Sequence, residues 1–226
     1  MKVKNIIILL LLTPVALSAN ICTGKKNVLP SLTGGGGWYN GRDTRASKDT
    51  PRLGLSVNIR DIRQTIHSFG ASDGWTCQII GRWADLRKKS KIADLLFSMD
   101  TAADGSPKGI GLSLWRFNIG AGSYEQGDSS YIKDPWRREE CFLNSDGTYN
   151  WNKQAGQQWF LQAARQRGVA YTLGFAVSPP VFMTRNGKAF SPGGKSLNIQ
   201  NNRLRDYADF LTRVAGHFHF NYISPV

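Results

Sequence analysis

The stretch "GLSLWRFNIG" at 111–120 sets one guanidinium, Arg116, inside a nearly continuous apolar run. A cation there is costly unless it meets an anion. In a strand that opens on a pocket, Arg116 would point inward and hold a carboxylate ionised. The alternative is a strand-end arginine that reaches solvent or a nearby acid. A second feature is "SFGASDGW" at 68–75, with Asp73 two residues before Trp75. A carboxylate accepts from sugar hydroxyls while an indole covers the C–H face of the ring. The plainer alternative is a turn aspartate followed by a core tryptophan.

Glycoside hydrolysis needs two carboxylates flanking the bond, about 5–5.5 Å apart when configuration is retained. All three glutamates, Glu125, Glu139 and Glu140, fall in one polar loop at 123–151. Glu125 reads as a rim residue or a loop hydrogen-bonding group. No acid/base and nucleophile pair can be assigned among these acids. Metal spacing is absent, since Cys22, Cys77, Cys141, His67, His217 and His219 are scattered, and neither metal nor cofactor is expected. His217 and His219 sit at a helix-to-strand junction and read as packing or solvent contacts. Cys77 and Cys141 could pair, which leaves Cys22 odd.

These residues need elements to position them. Alternation and β-formers predict a strand at 53–59, and "RQTIHSFGAS" predicts a second one running into a turn. A helix is predicted over 82–98, with Ile92, Leu95, Leu96 and Met99 on its apolar stripe. Residues 110–119 predict a buried strand. A helix follows at 152–167, with Asn152 as N-cap and Gly168 as its stop. The pattern continues as a strand at 169–177, a helix at 203–218 and a strand in "FNYISPV". The 203–218 helix carries Leu204, Tyr207, Leu211, Val214 and Phe218 on one face. Such alternation predicts an α/β fold with a parallel sheet whose strands are covered by helices on both faces. No phosphate-binding glycine motif sits at a strand-to-helix turn, and "GGGG" at 34–37 follows no strand. That disfavours an open nucleotide-binding sheet. A closed barrel needs about 250 residues, and residues 51–226 hold four strands, about half of one. In barrels the functional ends are the C-terminal ends of strands. There lie Asp73 and Trp75, then Arg116 and Asn118, then Ser178 before Pro179-Pro180.

The first 19 residues read as an export signal: Lys2 and Lys4, an apolar run from Ile6 to Leu12, and small residues up to Ala19. The run is too short to span a bilayer, so no stable membrane insertion is expected. A lipoprotein anchor through Cys22 fits less well, because Asn20-Ile21 are not the small residues it wants. Two lysines and no acids leave with the signal, which takes the formal charge from +13 to +11. For an exported chain this favours acidic polysaccharides, anionic surfaces or plain solubility over nucleic acid. "RKKSK" at 87–91 reads as a solvated helix face. Residues 20–50 read as a Gly-rich flexible arm.

The motifs "SFGASDGW", "GIGLSLWRFNIGAGSYEQGD", "WRREECF", "DGTYNW", "QAGQQWFLQAA", "VSPPVFMTRNG" and "FNYISPV" occur in this order over 53–226. Together they resemble glycoside hydrolase family 30, in its secreted bacterial endo-β-1,6-galactanase, glucanase and xylanase-like branch. The resemblance implies an α/β fold that is the first half of a (β/α)8 TIM barrel, with an N-terminal strand of an attached β-sandwich. It implies a retaining hydrolase acting on a β-linked polysaccharide, with β-1,6-galactan the first candidate and no cofactor. It implies that the acid/base glutamate follows a motif like "YISPV", that the nucleophile sits on the seventh strand, and that both fall beyond Val226. The chain alone is then expected to be inactive. Arg116 matches the arginine that orients the nucleophile. Asp73, Trp75, Asn118 and Ser178 become the substrate-binding candidates. Val181 and Phe182 stand where many members carry an aromatic beside the double proline. The competing reading is a non-catalytic carbohydrate-binding protein using Asp73, Trp75 and Arg116.

Overall fold

The computed structural model describes residues 56, 58, 60–191, 193 and 197–225. The expected signal, the Gly-rich arm and most of the strand at 53–59 lie outside them. Four short strands form one sheet: β1 (Gly70–Ser72), β2 (Leu114–Ile119), β3 (Tyr171–Ala176) and β4 (Tyr222–Ser224). All pairs are parallel and the order is β1-β2-β3-β4. Parallel neighbours need crossovers, and helices supply them. Between β1 and β2 run α1 (Thr76–Ile80) and α2 (Leu86–Phe97). After β2 come the short α3 (Ser123–Gln126) and α4 (Ala155–Gln166), and α5 (Leu204–Phe218) precedes β4. No helix among the described residues is long and apolar enough to cross a membrane.

β1 is shorter than "RQTIHSFGAS" predicts. Pairing begins only at Phe69, whose carbonyl accepts from Ser113 N at 2.9 Å. Residues 63–68 have no ladder partner, so β-propensity there goes unused.

β2 and β3 alternate cleanly. Trp115, Phe117, Ile119, Thr172 and Ala176 are buried beneath the helices, while Leu114, Arg116, Tyr171, Leu173 and Phe175 on the opposite face are half-buried. Among the described residues the helices therefore cover one face, not two. The core is aromatic. Phe97 meets Trp115 edge-on at 4.9 Å between centroids, and Phe117 lies 5.4 Å from Phe218 and 5.4 Å from Phe220. Burying each such ring stabilises the fold by roughly 1.5–3 kcal/mol.

α2 starts where Asp85 accepts from Lys88 N at 3.1 Å, an N-cap. Its buried residues are Ala93 and Phe97, with Ile92 and Leu96 beside them. Leu95 and Met99 are exposed, at 45% and 79%. The stripe is thus turned from the predicted one, because Phe97 rather than Met99 reaches Trp115. α5 buries Tyr207, Phe210, Val214 and Phe218. Leu204 is exposed at its first turn, and Leu211 is only partly buried. α4 begins three residues after Asn152, and Gly168, at φ +81°, ends it as expected.

α1 and α4 meet through bare backbone. A Cβ on Gly81 would run into the Gly156 carbonyl, and one on Gly156 into the Gln78 carbonyl. Only glycine permits that approach.

Candidate active site

The C-terminal ends of β1 and β2 and the start of α4 converge on a buried polar network. Asp73, just after β1, is 3% exposed, and the Asn118 backbone N–H donates to both its carboxylate oxygens at 3.0 and 3.2 Å. Asp73 N returns a bond to the Arg116 carbonyl at 3.0 Å. Asp73 thus locks the end of β1 to β2, and its carboxylate is turned into the fold. The expected contact with sugar hydroxyls competes with this one strand-end amide, which already holds both carboxylate oxygens.

Behind Asp73 lies Glu139, 2% exposed, which the sequence reading did not single out. Gln157 Nε2 donates to its Oε1 at 3.0 Å, and Asn118 Nδ2 reaches the same oxygen at 3.4 Å. Burial pushes the Glu139 carboxyl up to about 7, against the pull of these two amides. Asp73 is raised well above the usual carboxylate range, first by burial and then by the Glu139 charge; the Asn118 N–H and the Arg116 cation oppose this. Two buried acids so placed resist ionising together.

Gln154, fully buried, accepts from Gly120 N at 3.1 Å and donates to the Asn118 carbonyl at 2.8 Å and to Gln157. Gln78 donates to the Arg138 carbonyl at 2.8 Å and accepts from Glu140 N at 3.3 Å. These amides are the group that sequence reasoning missed. The signal was "QAGQQ", glutamines on the buried side of a helix start, where apolar residues would be ordinary.

Arg116 occupies the half-buried sheet face. Its guanidinium carbon lies 4.3 Å from the Phe175 ring centroid. Its Nε is buried with no hydrogen-bond partner. Arg116 enters no ion pair among the described residues, so the neighbouring-acid alternative is not realised. Asn118 is 2% exposed and its side chain serves the network, accepting from Ser72 Oγ at 3.4 Å. Trp75 carries Arg137 over its ring at 4.7 Å. Ser178 is buried, donates to the Pro179 carbonyl at 3.0 Å, and borders a cavity of about 80 Å³ with Phe190 and Asn198. The structure therefore joins Asp73, Arg116 and Asn118, while Trp75 and Ser178 make other contacts.

Glu125 is a loop hydrogen-bonding group, accepting from Cys141 N at 3.0 Å and from Lys153 Nζ at 2.8 Å. Cys77 and Cys141 do not pair; both thiols are free and buried. His217 stacks on Trp151 at 3.8 Å and His219 takes the left-handed cap of α5.

A parallel βα sheet with polar and charged side chains at the C-terminal ends of its strands places them where such folds carry their functional residues. Residues 52–226 match the model of O-Glycosyl hydrolase family 30, and the chain belongs to that family. It is 28% identical over 187 residues to an endo-beta-1,6-galactanase of Hypocrea rufa, covering 76% of this chain and 37% of that relative. The crystal structure of a conserved exported protein from Bacteroides fragilis is 45% identical, with a TM-score of 0.70 over 75% of this chain and 35% of that one. SrfJ from Salmonella typhimurium, 18% identical with a TM-score of 0.51, is alike in fold over 69% of this chain and 32% of its own. The chain thus spans about a third of the length of these relatives.

Proposed function

We propose that this chain forms the first half of a (β/α)8 barrel in an exported, retaining glycoside hydrolase that cleaves a β-linked polysaccharide. The observation that carries this is the state of Arg116. Its guanidinium is held over Phe175 on the half-buried face, with Nε unpartnered. A cation in that position calls for an anion; Asp73 acts on it only through space, and a catalytic carboxylate on another barrel strand would pair with it directly. Arg116 then orients the nucleophile and keeps it ionised.

The acid/base and nucleophile glutamates come from strands other than the four described, with an N-terminal strand joining an attached β-sandwich. Asp73 and Asn118 hold the strand ends in register, and Glu139 anchors the loop after β2 to them. Trp75 and Ser178 line the approach to the site. The Hypocrea rufa relative makes β-1,6-galactan the first substrate to try. The signal-like start and the exported Bacteroides fragilis relative support export. The non-catalytic sugar-binding reading is weakened by Asp73, which is only 3% exposed.

The test joins residues 52–226 to the remaining barrel of the Bacteroides fragilis protein. The chimera is expected to cleave β-1,6-galactan with retention at the anomeric carbon, while the chain alone cleaves nothing. A folded chimera inactive on galactan, β-1,6-glucan and xylan would end the enzyme reading.

A further inference from the structure

Among the described residues, three other than glycine lie in the left-handed region: Tyr131, Gln154 and His219, at φ 60°, 52° and 53°. Bulky side chains enter that region at a cost of about 1–2 kcal/mol. Two have internal reasons. His219 closes α5, its N–H donating to the Ala215 carbonyl. Gln154 is fully buried, and its amide bridges Gly120 and Asn118.

Tyr131 has the same backbone role as His219, but nothing in that role calls for an aromatic ring. It caps the short turn Gly127–Ser130, donating N–H to the Asp128 carbonyl at 3.1 Å. Glycine or asparagine fills such a cap without strain. The residue is 76% exposed, so packing does not require its ring. Its hydroxyl has no partner among the described residues. The ring meets Lys188, whose amine lies 4.6 Å from the centroid. Lys188 also donates to the Ser129 carbonyl, and Gln126 Nε2 donates to the Gly187 carbonyl at 2.7 Å. These bonds tie the loop after β2 to the loop after β3. Both loops leave the strand ends where Arg116 and Asn118 lie. Strain kept on an exposed ring at a pinned seam is of the kind that marks ligand contacts.

We infer that Tyr131, backed by Lys188, is a stacking platform for a pyranose ring of the glycan, a subsite on the rim of the strand ends. Lys188 covers one face of the ring and leaves the other for the flat C–H face of a sugar. The inference rests on the glycan-directed reading above.

Affinity electrophoresis of the 226-residue chain through gels holding β-1,6-galactan, β-1,6-glucan or xylan tests it, alongside thermal melts. Wild type and Tyr131→Phe are expected to be slowed equally by at least one polymer. Tyr131→Asn keeps the left-handed backbone and loses the ring; it is expected to bind about tenfold more weakly, the upper end for one aromatic stack, and to melt no lower than wild type. Unslowed wild type, unchanged slowing of Tyr131→Asn, or a lower melting temperature for Tyr131→Asn would each overturn the inference. Slowing that depends on Tyr131, beside a chimera that cleaves nothing, would leave the platform standing and remove the hydrolase reading. Hydrolysis with unchanged slowing of Tyr131→Asn would do the reverse.

Discussion

The side-chain amide of Gln157, in the first turn of α4, donates to Glu139 Oε1 at 3.0 Å inside the fold. This bond holds a loop glutamate against the acid after β1, and the burial of that glutamate, which the bond only partly offsets, makes the chain's stability depend on pH. Burial lifts the Glu139 carboxyl from 4.5 to about 7. The folded chain then holds a proton that the unfolded chain has released, so stability is full below 4.5 and falls as pH rises through about 7. The loss is about 3 kcal/mol at most. Melts at pH 5 and pH 8 should show a lower melting temperature at pH 8, and Glu139→Gln should flatten that slope. An unchanged slope in Glu139→Gln would place the titration elsewhere.

Arg116 separates stability from activity. Its buried, unpartnered Nε is a desolvated donor, and such groups cost about 1–3 kcal/mol. Arg116→Met should leave the urea midpoint of the chain unchanged or raise it. In the chimera described above the same change should lower kcat by about a hundredfold or more, the outcome that the proposed nucleophile-orienting role of Arg116 requires. A clear drop in the midpoint would mean that the guanidinium is already held.

Gly156→Ala forces a methyl group into the Gln78 carbonyl. Overpacking of this kind costs about 1–3 kcal/mol. The urea midpoint should fall with little change in slope. Gly147→Ala, at φ +85° but with open space around its Cβ, should cost about 1 kcal/mol from backbone strain alone.

The two buried thiols should be silent. Burial raises both, Cys141 to about 12 and Cys77 further, with the Asp73 charge adding to the second. Alkylation near pH 8 should spare both until the chain unfolds, because the thiolate is the reactive form. Mass spectrometry before and after denaturant reads this directly, and rapid native labelling of either would contradict the burial.

The parallel sheet was legible because β2 and β3 are long apolar runs and the helices between them have clear periodicity. α5 shows how far the pattern reaches: Tyr207, Val214 and Phe218 were found, but Phe210 was displaced by Leu204 and Leu211. Periodicity fixes a stripe only to within a neighbouring residue, and packing chooses among them. Glu139 was hidden for another reason. Beside Glu140 in a polar loop it looks solvated, and only the amides of Gln157 and Asn118, distant in sequence, make its burial affordable. Tyr131 was hidden because a left-handed backbone leaves no mark when the residue is not glycine.

The glycine contact between α1 and α4 has a mechanical meaning. Surfaces that touch backbone to backbone leave no room for a side chain between them, so each helix sets the other's position closely. The turn after β1 and the loop that Glu139 anchors are thereby joined through α1 and α4, and the bonds from Lys188 and Gln126 fasten the loop after β3 to the same block.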